Sequence, residues 1–153
     1  PKLIIADEPT TALDVTVQAQ VLHLLKEVTR ETGAALVIIT HDLGIVARYA
    51  DRVNVMYAGR IVEAGPAREI YNNPKHPYTV GLMNSVPRLD GDLESALQPI
   101  EGQPPNLADL PSGCAFQPRC RHAVERCSVE RPGLTTVENE HILACWVEIN
   151  VTP

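Results

Sequence analysis

Leu3-Ile4-Ile5-Ala6-Asp7-Glu8-Pro9 is an apolar run that ends in two adjacent carboxylates and a proline. The run over Lys2 to Ala6 predicts a buried strand, and the proline stops its pairing. In a parallel α/β sheet, ligands gather at that end of the strands. Asp7 is then placed to hold Mg²⁺, directly or through water, since hard cations prefer carboxylate oxygen. Glu8 points elsewhere and can orient or deprotonate a water. The plainer reading of the doublet is a solvated turn.

Outward from this stretch, Thr10-Thr11-Ala12-Leu13-Asp14 leads straight into a helix that Asp14 can cap. Within it Val17, Val21, Leu24, Leu25 and Val28 recur at helical spacing, which predicts one stripe facing a sheet, and Gly33 supplies the stop. Ala35 to Thr40 reads as a second buried strand, so strand, helix and strand imply parallel pairing. Thr40-His41-Asp42 closes that strand and puts an imidazole at the same sheet edge as Asp7. Such a group can donate to a terminal phosphate, although an isolated histidine there more often caps the next helix. Leu43 to Tyr49 reads as a short helix. Arg52 to Tyr57 and Arg60 to Glu63 read as a hairpin around Ala58-Gly59.

These residues together resemble a known family. Leu3 to Asp14 is similar to the Walker B strand and D-loop of an ABC transporter ATPase, Thr40-His41-Asp42 to its switch histidine, and Arg52 to Gly65 to the family's segment downstream of that histidine. The resemblance implies an α/β fold, the C-terminal half of a P-loop ABC ATPase domain, in which a parallel sheet is flanked by helices. It implies that Asp7 serves the Mg²⁺ site, that Glu8 is the catalytic base, that His41 contacts the γ-phosphate of ATP, and that Asp14 lies in the D-loop at the ATPase dimer interface.

Further on, Asn73-Pro74-Lys75-His76-Pro77-Tyr78-Thr79 with Pro87-Arg88-Leu89 resembles the C-terminal extension of ATPase subunits from oligopeptide, dipeptide and nickel importers. The His76-Pro77-Tyr78 run itself reads as a turn and helix start, with the Tyr78 ring packing on the ATPase body. The partners implied are a second ATPase subunit, identical or a sister, transmembrane permease subunits and, indirectly, an extracytoplasmic substrate-binding protein. The location implied is peripheral, at the cytoplasmic face of the plasma or inner membrane.

The chain departs from the family in one respect. No G-x-x-x-x-G-K-[ST] loop and no Gly-rich signature segment occurs in its 153 residues. The base and the switch are present without the phosphate cradle, so the chain alone is expected neither to bind ATP tightly nor to hydrolyse it. It also opens without methionine, inside a strand-like run, which reads as a piece of something longer.

Composition narrows the alternatives. Thirteen Lys plus Arg against nineteen Asp plus Glu give a net charge of −6, with no basic block to neutralise a nucleic-acid backbone. The longest apolar run, Ala34 to Ile39, is far short of the about 20 residues that span a bilayer, and no signal-peptide plan opens the chain. The expectation is a soluble protein, or one peripheral to a membrane through a partner.

From Pro66 onward prolines interrupt every long element. Short helices are expected at Ala67 to Tyr71 and Tyr78 to Val86, then an irregular stretch from Pro87 to Gly113. The organisation expected is residues 1–65 as part of the nucleotide-binding domain, 66–113 as a proline-rich helical linker, and 114–149 as a small irregular Cys-rich extension. Its cysteines, Cys114, Cys120, Cys127 and Cys145, have the spacing C-x5-C-x6-C-x17-C. Tetrahedral zinc usually takes closely spaced pairs, whereas an iron–sulfur cube accepts thiolates from more separated loops. The family resemblance favours a [4Fe–4S] cluster at these four residues, acting as a structural staple more readily than as an electron carrier. Zn²⁺, with His122 or His141 replacing a thiolate, remains open, as do free or paired thiols. Trp146 either shields the bound group or belongs to the core. The competing function is a non-catalytic interaction or regulatory module that grips a metal through this segment.

Overall fold

The computed structural model describes residues 1–86, 99–147 and 149, and the chain divides into two units, 1–50 and 51–153. In the first, β1 (Leu3–Asp7) pairs in parallel with β2 (Ala35–Ile39), Leu3 opposite Ala35 and Asp7 opposite Ile39. The crossover is α1 (Val15–Thr32), and α2 (Leu43–Tyr49) comes after β2. Both ends of α1 are chemically specified. The Asp14 carboxylate accepts from Thr16 N–H and Val17 N–H at 3.0 Å, a cap that contributes about 1 kcal/mol. Gly33 sits at φ 68°, the left-handed stop that a side chain would resist.

Two expectations for this unit are corrected. The inward stripe of α1 centres on Leu22, which is buried, with Gln18, Val21, Leu25 and Thr29 half-buried beside it. Leu24, with Val17 and Val28, stays exposed. At 100° per residue, Leu24 lies on the far side from Leu22, so apolar character at helical spacing did not itself choose the face. The strands, expected to be buried, alternate instead, leaving Leu3, Ile5, Val37 and Ile39 exposed on one face.

The second unit is built on the hairpin of β3 (Arg52–Tyr57) and β4 (Arg60–Pro66). Its turn takes Ala58 and Gly59 through φ 48° and 74°, the left-handed pair that suits the twist of a two-residue hairpin. Next come α3 (Ala67–Asn72), α4 (Pro77–Asn84), a 3-10 turn at Gln117–Arg119, α5 (Glu125–Val129), β5 (Thr135–Glu138) and β6 (His141–Leu143). The cysteine segment does not stand apart from the hairpin. β6 pairs antiparallel with β4, and the sheet runs β3-β4-β6-β5. Of the expected irregular stretch from Pro87 to Gly113, residues 87–98 lie outside the described residues, while 99–113 carries no helix or strand.

The core of this unit gathers Val55, Tyr57, Ala64, Ile70, Phe116 and Leu143. Tyr57, Tyr78 and Phe116 form a ring cluster, with centroids 4.6 Å apart for Tyr57–Tyr78 and 5.2 Å for Tyr57–Phe116. The Tyr78 ring thus packs on the hairpin, as the helix-start reading of His76-Pro77-Tyr78 expected. At its centre Glu63 and His141, both fully buried, meet through Oε1 and Nε2 at 2.7 Å. Glu63 also accepts from Lys75 N–H at 2.6 Å and His76 N–H at 3.0 Å, tying the turn before α4 to the sheet.

Candidate functional site

Parallel pairing carries β1 and β2 to the same edge, where Glu8 N–H donates to the Ile39 carbonyl at 2.9 Å. Beyond that bond the chain turns sharply. Glu8 adopts φ 48° and Ala12 φ 64°, left-handed values that cost a non-glycine residue about 1–3 kcal/mol and are retained where surrounding bonds impose them. Those bonds are present. Thr11 Oγ1 donates to Glu8 Oε2 at 2.6 Å, and Gln18 Nε2 donates to the carbonyls of Thr10 and Leu13 at 3.2 Å.

Across the edge, His41 Nδ1 lies 2.8 Å from Glu8 Oε1. The histidine side chain remains 82% exposed and the glutamate 39%, so the pair fronts a polar recess lined also by Thr10, Thr11, Gln18 and Thr40. The Thr11 hydroxyl, then His41, hold the Glu8 carboxyl below its usual range, and Glu8 raises the His41 imidazole above its own. The Glu8 carboxylate is thus held with one oxygen on a hydroxyl and the other on an imidazole.

The four residues singled out at this edge are placed differently. Glu8 and His41 are in contact. Asp7 is exposed at the end of β1, outside the lining of that recess, and its carboxylate makes no hydrogen bond or ion pair among the described residues. Asp14 caps α1 and leaves its outer face exposed. The sequence reading missed Thr11 and Gln18, whose roles depend on a local turn conformation. It also missed Asp42, which caps α2 by accepting from Gly44 N–H at 2.8 Å and Ile45 N–H at 3.2 Å. His41 is therefore not that cap.

In the second unit, Cys114, Cys120, Cys127 and Cys145 line one cavity together with His76 and Trp146. None is in a disulfide. Burial pushes the Cys114, Cys120 and Cys145 thiols up, and the neighbouring thiols add to it. Gly113 brings the Cys114 loop against the Cys127 carbonyl so closely that a Cβ would collide with it.

Among the described residues, however, no group of three or more His, Cys, Asp or Glu side chains converges tightly enough to share one metal ion. Zinc bound by thiolates at about 2.3 Å requires that convergence. The histidines offered for zinc are also elsewhere. His141 is spent on Glu63, and His122 is exposed and does not line the cavity. Trp146 is half-buried at the cavity wall, its Nε1–H donates to the Glu130 carbonyl at 3.0 Å, and the Arg126 guanidinium stacks 3.4 Å from its ring centroid.

Known transport ATP-binding proteins resemble this chain. Residues 62–127 match the family described as "Oligopeptide/dipeptide transporter, C-terminal region". The chain is 56% identical over 147 residues to the oligopeptide transport ATP-binding protein OppD of Haemophilus influenzae, covering 96% of this chain and 45% of that protein. It is 60% identical over 146 residues to OppD of Escherichia coli, covering 95% and 43%, and 52% identical over 149 residues to the dipeptide transport ATP-binding protein DppD of Bacillus subtilis, covering 97% and 44%. The solved structure of cbiO1 from Clostridium perfringens, part of the ABC transporter complex cbiONQ, matches 48% of this chain and 29% of its own at 40% identity, with a TM-score of 0.44.

The chain is thus similar to the ATP-binding proteins of oligopeptide and dipeptide transporters, and spans a little under half the length of the relatives it matches. These likenesses do not favour the alternative of a non-catalytic interaction module.

Proposed function

We propose that the complete protein is an ATP-hydrolysing subunit of an importer for oligopeptides, dipeptides or nickel, and that this chain supplies the base and the histidine switch of its nucleotide site. The observation that carries the reading is the 2.8 Å contact between Glu8 and His41 across the tips of two parallel strands. Glu8, held by Thr11, accepts a proton from the attacking water. His41 turns toward the γ-phosphate when ATP is bound, and Asp14 lies where a second ATPase subunit approaches. The exposed, unpartnered carboxylate of Asp7 suits Mg²⁺, which would neutralise phosphate charge. Work done on ATP would pass to transmembrane permease subunits, with cargo delivered by an extracytoplasmic binding protein, and the subunit would sit at the cytoplasmic face of the membrane. No helix among the described residues is long and apolar enough to cross it. In the complete protein Glu8→Gln should keep nucleotide binding and lower turnover by about 10²–10⁴. Undiminished phosphate release would remove Glu8 as the base.

The cavity supports a second reading, that Cys114, Cys120, Cys127 and Cys145 hold a [4Fe–4S] cluster. Four unpaired thiols around one cavity suit a group in which each iron takes one thiolate. Such a cluster would supply a covalent staple joining the loops that carry the thiols. The descriptions of the relatives name no cluster, so the reading stands on the donor set and its placement.

A further inference from the structure

His76 lines the four-cysteine cavity and is 1% exposed. Its Nδ1 accepts a hydrogen bond from the Tyr78 backbone N–H at 3.0 Å. A backbone N–H can only donate, so Nδ1 carries no proton and the ring's single proton sits on Nε2. No acceptor for that Nε2–H occurs among the described residues.

The ring has little freedom. Its backbone N–H is fixed to Glu63 Oε2, Pro77 comes next as the first residue of α4, and the Phe116 ring lies 5.8 Å away, centroid to centroid. Histidine is an unusual residue for a helix cap, a task that Ser, Thr, Asp or Asn performs as well. Only histidine caps with one nitrogen while presenting an N–H from the opposite side of the ring.

We propose that His76 is a positioning residue of the cysteine site: its Nε2–H donates to a sulfur, cysteinyl or inorganic, of the group held by Cys114, Cys120, Cys127 and Cys145. This rests on the cluster reading and gives the His76-Pro77-Tyr78 turn a role that neither ATP hydrolysis nor helix capping requires. Hydrogen bonds to cluster sulfurs stabilise the more negative, reduced state and hold the ligands in place. Loss of this donor should therefore lower the reduction potential and loosen the iron.

Two substitutions separate this role from helix capping. In His76→Asn the side-chain oxygen stands where Nδ1 stood, which keeps the cap and removes the donor to the cavity. In His76→Gln the amide nitrogen reaches the position of Nε2, which keeps the donor and sacrifices the cap. The complete polypeptide is reconstituted anaerobically with ferrous iron and sulfide, and iron and sulfide content, midpoint potential and the rate of iron loss to a chelator are measured.

The expected result is that His76→Asn keeps the α4 cap but shows a lower potential and iron loss faster by about 10-fold. His76→Gln should keep a potential close to the parent's even where its melting temperature falls. A His76→Asn protein matching the parent in potential and iron loss, with only His76→Gln impaired, would reduce His76 to a helix cap. Parent protein that takes up neither iron nor sulfide would overturn the cluster reading and this inference with it.

Discussion

Glu63 is a carboxylate with no exposed surface, and three donors converge on it: the N–H groups of Lys75 and His76 and the ring of His141. Removing it leaves buried polar groups without partners, which costs far more than the intact bonds contribute. Glu63→Ala should destabilise the second unit by about 3–5 kcal/mol, read from denaturant unfolding tracked by Trp146 fluorescence, and Glu63→Gln should cost less because one oxygen still accepts. A loss near zero would show that the turn before α4 is held by its ring cluster alone.

The Glu8–His41 pair makes a prediction of a different kind, in pH. His41 is raised by Glu8, so the stabilisation it gains from the pair is present below the ordinary histidine pKa and is lost as pH rises through the raised value. Glu8 is lowered, chiefly by Thr11, so its share is present above the ordinary carboxylate range and is lost as pH falls through the lowered value. The contact should hold between those limits. NMR titration should give His41 a pKa above 6.5 that falls back in Glu8→Gln, and an unchanged value would separate the two side chains in solution.

At the scale of elements, the legible part is the part that local chemistry dictates. Asp14 and Gly33 bracket α1 in the sequence as they do in the structure, and Ala58-Gly59 announces the hairpin turn. The Glu8–His41 meeting was legible for the same reason, since parallel pairing of two apolar runs brings the residues just past the end of each to one edge. Facing was not legible. Every third or fourth residue of α1 is apolar around more than one side, and the choice of Leu22 over Leu24 is made by packing. The return of β6 to β4 was equally hidden, because it joins positions about 80 residues apart and its partner β5, Thr-Thr-Val-Glu, lacks the apolar alternation that marks a strand. Thr11 and Glu63 were missed as anchors because their partners are set by turn geometry and by a long-range contact, neither of which residue spacing records.

For the molecule as a whole, the balance of charge and missing chemistry sets what it can do with nucleotide. ATP is a polyanion, and the chain carries a net charge of −6. In P-loop proteins that repulsion is overcome by backbone N–H groups and a lysine cradling the phosphates, with Mg²⁺ bridging them. Within these 153 residues no such loop occurs, and the recess at the strand edge is shallow enough to leave His41 82% exposed. A single exposed imidazole beside exposed carboxylates in high-dielectric surroundings offers little net attraction. Calorimetric titration of this chain with Mg-ATP should therefore show no binding tighter than about 1 mM, roughly 4 kcal/mol, and no phosphate release above the uncatalysed rate. Micromolar affinity would mean that the recess around Glu8 and Thr40 holds a nucleotide by itself, and the division of labour between base and cradle would have to be abandoned.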